Sequence, residues 1–213
     1  FPVCCNFNIS YCYLFEKKAN GLAKLVKLDK IYTRGGDNGL TSLGDGKRVE
    51  KYNLRVDTYG DFEEANSVIG IAIMYSSEKI KNYLKKVQND LFDLGADLCM
   101  PQDKMKNTLR VTEEQVKMLE ENIDELNSGL NELKSFILPG GTNSSSYLHF
   151  ARCVVRRSER KLARLMQTEK VNDVVLKYVN RLSDFLFVAS RFENKKDGDI
   201  LWEPGKSQQR SKQ

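Results

Sequence analysis

Three arginines set in line on one helix are the residues in this chain best suited to chemistry. Within the segment SFILPGGTNSSSYLHFARCVVRRSER (135–160), Arg152, Arg156 and Arg160 recur at i, i+4 and i+8, with Arg157 and Glu159 beside them. At about 100° per residue they form one ridge, next to an apolar stripe of Leu148, Ala151, Val155 and Leu162. Guanidinium groups present rigid forks of donors that match phosphate oxygens, so the ridge reads as a polyanion site with one carboxylate to restrain it. The plain alternative is a solvated basic face with local pairs such as Arg156 and Glu159. A second cluster, YTRGGDNGLTSLGDGKRVEK (32–51), combines glycines, aspartates, the hydroxyls of Thr41 and Ser42, and Lys51. Glycine lets backbone N–H groups approach an anion, and hydroxyls with a lysine can complete a phosphate cradle. It is not a P-loop, because Asp45 stands where the lysine belongs after Gly39 and Gly44. Taken alone, a Gly/Asp loop of this kind is more often a plain surface connection.

The elements that must hold these groups read as helices. Residues 61–75 suit a first helix, opened by Asp61, Glu63 and Glu64 at its positive end. Ile80, Leu84, Val87, Leu91, Leu94 and Leu98 follow the 4-3-4-3-4 spacing of a bundle seam, stopped by Pro101. Thr112 and Gln115 form a capping box ahead of a third helix with Val116, Leu119, Ile123, Leu126 and Leu130 on its seam. A fourth helix is expected over about 144–167 and a fifth over about 171–192, the latter facing inward through Val174, Val175, Tyr178, Leu182, Phe185 and Ala189. No segment alternates convincingly with period two. The pattern predicts an all-α, up-and-down bundle of about five helices, with short connections favouring antiparallel neighbours.

Composition sets bounds on function. With 30% charged and 9% aromatic residues, neither disorder nor a membrane span is suggested, and the longest apolar runs are far too short for a bilayer. The net charge of +5 is small and scattered, which argues against nucleic acid as a partner. Five cysteines without regular spacing do not make a disulfide framework, and Cys99 and Cys153 sit in apolar helical settings as small core residues. His149, the only histidine, reads as a buried or half-buried hydrogen-bonding side chain and excludes a His-rich metal site, including a ferritin-like di-iron centre. Residues 1–30 read as an N-terminal extension, compatible with the remnant of a targeting leader although Arg and Ser are scarce. Residues 31–196 form the bundle domain, and 197–213 a basic tail expected to be disordered.

Together the two clusters, the helix GDFEEANSVIG (60–70) and the segment YVNRLSDFLFVASR (178–191) resemble the PduO-type ATP:cob(I)alamin adenosyltransferases. FILPGG, LHFAR, RRSER and NRLSDFLF match the family's motifs in order and spacing, from about Ile31 to about Asn194. The resemblance implies a cobalamin adenosyltransferase-like bundle, assembled as a homotrimer with active sites between subunits. It implies transfer of the 5′-deoxyadenosyl group of ATP to the cobalt of cob(I)alamin, giving adenosylcobalamin and triphosphate.

Carried over by position, the family's ATP contacts fall on Thr33, Arg34, Gly35 and Gly36, then Thr41, Ser42 and Lys51. From the helices they fall on Arg156, Arg157, Glu159, Arg160 and Asn180. Lys51 and Arg156 are expected to stabilise charge on the triphosphate, and Asn180 to orient the nucleotide, unless it merely bonds Asp184 one turn on. Mg²⁺ is expected with the ATP phosphates, with no metal site built from protein side chains. Phe136 matches the aromatic that lies beneath the corrin ring; by composition alone it would be core, like Ile137 and Leu138. Glu63 and Arg152 match a salt bridge between subunits. Two departures stand out: Gly35 replaces the threonine of the family's Thr-Arg-Thr-Gly-Asp, and Glu63-Glu64 replaces its Asp-Glu. The alternative is a corrinoid-binding chaperone that delivers adenosylcobalamin to a mutase with little turnover, with Gly35 as its support. A mutase and a corrinoid reductase are the implied protein partners, and the implied address is mitochondrial in a eukaryote, otherwise cytoplasmic.

Overall fold

A computed structural model describes residue 32 and residues 34–101 and 108–208. A short hairpin comes first, β1 (Leu40–Ser42) paired antiparallel with β2 (Arg48–Glu50), with Thr41 opposite Val49. Five helices follow: α1 (Leu54–Tyr75), α2 (Glu78–Cys99), α3 (Glu113–Asn127), α4 (Asn143–Leu165) and α5 (Asp173–Glu193). The hairpin is the one departure from an all-helical reading. Its three-residue strands are too short to show alternation over a usable window.

The α1 helix begins seven residues before the expected start. Asn53 caps it by accepting from the Arg55 N–H at 2.9 Å, and Gly60 is carried inside the helix. A glycine there costs about 1 kcal/mol against alanine, which burial of Tyr59 and Phe62 on either side outweighs. The α2 seam is buried along its length, and Val116, Leu119 and Leu126 of α3 are buried with it. The capping box is closed from the glutamine side, since Gln115 Oε1 accepts the Thr112 N–H at 2.9 Å. Tyr178, Leu182, Phe185 and Ala189 of α5 complete the core.

Side-chain contacts fix the directions. Ser76 at the end of α1 meets Ser144 at the start of α4, while Lys161 late in α4 meets Asp57 and Asp61 early in α1, so these helices are antiparallel. Likewise α4 and α5 run antiparallel through His149–Ser190 and Glu159–Asn180. The α3 helix lies parallel to α5, with Lys177 on Glu113 and Arg181 on Glu120. The α3 helix packs mainly on α5 and not on its neighbours in the chain, and the connections on either side of it are long, whereas α1 and α2 join through Ser76 and Ser77 alone.

Two further expectations are corrected. Cys99 is buried, but Cys153 is exposed, because it falls on the outer side of α4 between the faces that meet α1 and α5. Part of the tail expected to be disordered is instead paired: Ile137 and Leu201 form an antiparallel bridge. Among the described residues no helix is long and apolar enough to cross a membrane.

Candidate nucleotide and corrinoid site

The glycine loop is a built structure. Arg34 takes a left-handed conformation (φ 60°), uncommon for a residue with a Cβ, and its guanidinium lies 5.7 Å from the centre of the Tyr32 ring. The Gly39 N–H donates to Gly36 O at 3.1 Å, and the Lys51 N–H to Gly39 O at 2.9 Å; Gly39 itself needs its positive φ of 76°. Arg48 braces the inside, with Nη2 donating to Gly35 O at 2.5 Å and Nη1 to Ser42 Oγ at 3.2 Å. Sequence reasoning missed Arg48, although it lies in the same glycine-rich segment as Lys51. The hairpin is seated on the bundle by the Gly44 N–H, which donates to Cys99 O at 2.8 Å. Lys51 is exposed and Ser42 half-buried, whereas Thr41 is 1% exposed and faces inward, which leaves Ser42 as the outward hydroxyl of β1. Gly36 is buried, and Thr33 lies outside the described residues.

On the α4–α5 face the remaining candidates divide. Asn180 Nδ2 donates to Glu159 Oε1 at 3.0 Å, joining the two helices. The local bond from Asn180 to Asp184 does not form; Asp184 is taken by Arg181 at 3.3 Å, and Arg181 also reaches Asn180 Oδ1. Arg157 is engaged by α1: it pairs with Glu64 and stands 3.8 Å from Asp61. The hydrogen bond to Glu64, with the nearby carboxylates, raises its pKa further above the usual guanidinium value. Arg156 and Arg160 are exposed, with Arg160 Nη1 donating to Arg156 O at 2.9 Å. Among the described residues neither has a carboxylate partner, and Arg156 does not pair with Glu159.

Arg152 leaves the ridge. It is half-buried over the Phe187 ring at 5.9 Å, with its Nε buried and lacking a hydrogen-bond partner among the described residues. Glu63 lines a shallow cleft between α1 and α2 with Phe62, Asn66 and Phe92. The two thus face different neighbours, α5 and α2. No group of three or more His, Cys, Asp or Glu residues suited to a metal occurs among the described residues.

Phe136 is 78% exposed, which removes the core explanation; Ile137 is half-buried and Leu138 exposed. The turn that follows is fixed by Asn194, which accepts from Thr142 N at 3.0 Å and donates to Gly140 O at 2.9 Å. Gly141 has φ 100° and lies so close to the Asn194 amide that a Cβ would collide with it. Thr142 then caps α4 by accepting from Ser145 N at 3.1 Å. A second residue overlooked in the sequence, Trp202, faces Phe136 with ring centroids 6.0 Å apart. Its signal was hidden in a tail whose composition resembles disorder.

Comparison with known proteins places this geometry in a family. A family model described as cobalamin adenosyltransferase matches residues 31–193. The corrinoid adenosyltransferase of Mycobacterium leprae is 46% identical over 189 residues, 84% of this chain and 98% of that protein. That of Bacillus subtilis is 42% identical over 181 residues, covering 82% and 92%. Among solved structures, a phenylalanine-to-alanine variant of the PduO-type ATP:corrinoid adenosyltransferase from Lactobacillus reuteri, complexed with cobalamin and ATP, superposes with a TM-score of 0.78 at 38% identity. That match covers 82% of this chain and 99% of the other. An arginine-to-lysine variant of the same enzyme, complexed with ATP, gives 0.76 at 38% identity, covering 81% and 100%. The chain belongs to the cobalamin adenosyltransferase family.

Proposed function

We propose that this protein transfers the 5′-deoxyadenosyl group of ATP to the cobalt of cob(I)alamin. The cobalt electron pair attacks the ribose C5′, the C5′–O bond breaks, a Co–C bond forms and inorganic triphosphate departs. Cob(I)alamin is itself the nucleophile, so no side chain must be activated. The protein's task is to position ATP and to neutralise the charge growing on the leaving group. Arg156 and Arg160 are equipped for the second task because no carboxylate of α1 or α5 engages them, in contrast to Arg157. That exposed, uncompensated pair beside the Glu159–Asn180 link is the observation that carries the reading. Lys51 adds an exposed cation at the mouth of the loop, while Arg48 holds the loop carbonyl and so shapes the backbone cradle. Magnesium enters as MgATP, held by phosphate oxygens and water, and offsets the triphosphate charge.

Phe136 supplies the apolar face beneath the corrin, keeping the lower axial ligand from cobalt and easing reduction of Co(II). A homotrimer accounts for the divergence of Glu63 and Arg152, each of which would find the other on a neighbouring subunit. A corrinoid reductase upstream and an adenosylcobalamin-dependent mutase downstream are the protein partners this chemistry calls for. The test is an anaerobic assay with reduced cobalamin and ATP, with and without magnesium, following the absorbance change as the Co–C bond forms. Multiple turnovers with triphosphate release are expected. Binding without turnover would instead indicate a carrier of adenosylcobalamin.

A further inference from the structure

The link between Glu159 and Asn180 continues beyond Asn180. Arg181, the next residue of α5, donates from Nη1 to Asn180 Oδ1 at 3.3 Å and from Nε to Glu120 Oε1 of α3 at 2.9 Å. A chain of hydrogen bonds therefore runs from Glu120 on α3, through Arg181 and Asn180 on α5, to Glu159 on α4, the helix of the arginine ridge. The same Nη1 donates to Asp184 at 3.3 Å. Glu120 and Asp184 are exposed and Arg181 is half-buried, and ion pairs in such a setting contribute little to folding. The chain does, however, impose an orientation on Asn180. An ionised carboxylate can only accept and a guanidinium can only donate. The amide held between them is fixed end for end, because a flip would set its NH₂ against Arg181 and its oxygen against Glu159. One N–H of Asn180 is spent on Glu159. The second is left for a ligand, which must present an acceptor.

We infer that Arg181 is a positioning residue of the nucleotide site: tethered to α3 by Glu120, it holds the Asn180 amide so that the remaining N–H meets a phosphate or ribose oxygen of the nucleotide. The inference rests on the proposed nucleotide site, with Asn180 as one of its contacts. It gives α3, which carries none of the candidate nucleotide residues, a part in nucleotide binding. It also separates two bridges that otherwise look alike. Lys177 and Glu113 join α5 to α3 as well, at 2.6 Å, but among the described residues that pair bonds none of the candidates. A role in packing α3 on α5 would be shared by both bridges. A role in orienting Asn180 belongs to Arg181 and Glu120 alone.

The experiment compares the full chain with Arg181→Met, Arg181→Lys, Glu120→Gln, Lys177→Met, Asn180→Ala and the double variant Arg181→Met with Asn180→Ala. MgATP binding is read by calorimetry, KM and kcat by the cob(I)alamin assay, and folding by the thermal midpoint. Arg181→Met is expected to raise the Kd and KM for MgATP about fivefold, the scale of one hydrogen bond, with kcat nearly unchanged. Arg181→Lys, which keeps the charge but not the fork, should recover part of the loss. Glu120→Gln, on the exposed face of α3, tests the same link without altering α5, and a rise of about twofold is expected. Lys177→Met should bind MgATP as the wild type does. In the Asn180→Ala background, Arg181→Met should add little, because both act through one contact. A full further loss there would mean that Arg181 meets the nucleotide itself and would overturn the positioning role. Equal defects in Lys177→Met and Arg181→Met would reduce both to packing of α3 on α5 and overturn it too. If Asn180→Ala loses MgATP while Arg181→Met and Glu120→Gln bind normally, the inference is wrong and Asn180 stands as a contact. If Asn180→Ala also binds normally, the reading of Asn180 fails with it.

Discussion

The two ends of the bundle handle polarity in opposite ways. At the hairpin end, two charged side chains, Arg55 and Asp97, are buried and engaged. Arg55, 2% exposed, donates from Nε to Glu169 at 2.8 Å, from Nη1 to Leu98 O at 2.6 Å and from Nη2 to Lys170 O at 3.1 Å. Beside it Asp97, 1% exposed, accepts from Arg110 at 2.6 Å, from Val111 N at 2.9 Å and from Asn172 at 2.8 Å. These bonds tie the start of α1, the end of α2 and both flanking connections into one block, and the hairpin sits on the next carbonyl, Cys99 O. At the far end, the ribbon of Phe136 and Trp202 leaves apolar surface open to solvent. A satisfied buried network gives rigidity, which a loop cradling phosphates requires. Exposed apolar area gains free energy only when something covers it, which suits a face that receives a ligand.

The largest effect expected from this contrast is on stability. Arg55→Met would remove the Arg55 donors to Leu98 O and Lys170 O and leave Glu169 without its ion pair, at a cost of about 3–5 kcal/mol. Phe136→Ala and Trp202→Ala, being exposed, should each change stability by less than about 0.5 kcal/mol. Urea unfolding measures both, and similar losses at the two ends would dissolve the distinction.

Next comes turnover. Arg156→Ala should lower kcat by about a hundredfold or more, since one contact to a developing anion in a closed site contributes roughly 3–4 kcal/mol. The side chain is exposed on α4, so the unfolding midpoint should stay near that of the wild type. Arg157→Ala offers the internal control: its guanidinium is already engaged by Glu64, so a smaller kinetic loss is expected. Equal losses would place the triphosphate across both arginines.

At the ribbon end the effect should depend on the oxidation state of cobalt. Phe136→Ala is expected to slow adenosylation about tenfold or more when the reaction starts from cob(II)alamin and a mild reductant, the scale of losing one buried aromatic contact. From pre-reduced cob(I)alamin, which lacks a lower ligand, the defect should be much smaller, and ATP affinity should not change. The four-coordinate absorption signature of bound cob(II)alamin should be present in the wild type and absent from the variant. A defect equal from both states would return Phe136 to an ordinary packing role.

How much of this was legible beforehand follows from the range of the interactions. The seam of α2 and the capping box of α3 are local periodicities and are found where the sequence put them. The early start of α1 was hidden because Gly60 looks like a boundary, and only the burial of Tyr59 and Phe62 by distant helices carries the helix through it. The exposed Arg156 and the engaged Arg157 are adjacent in sequence and identical in type; what separates them is Glu64, on another helix. Trp202 was obscure for the same reason, since its partner strand lies more than sixty residues away and the intervening tail looks solvated.

The smallest expected effect concerns the loop's departure from the family pattern, where Gly35 stands in place of threonine. The left-handed positions of this segment are Arg34, Gly39 and Gly46, so the backbone at Gly35 does not demand glycine. Its exposed location leaves room for a side chain, and its carbonyl, held by Arg48, would be unaffected by a new Cβ. Gly35→Thr should therefore stabilise the protein slightly, by about 0.4–1 kcal/mol, because the unfolded chain loses conformational freedom. It would also add a hydroxyl where Thr41 is turned inward and the Ser42 hydroxyl already accepts from Arg48. The KM for MgATP is expected to fall by about twofold to threefold, the scale of one neutral hydrogen bond, with kcat unchanged. A drop in activity instead would mean that on binding nucleotide the loop adopts a backbone at Gly35 that only glycine can reach. The hairpin end would then be less rigid than its buried network suggests, and the contrast with the ribbon end would narrow.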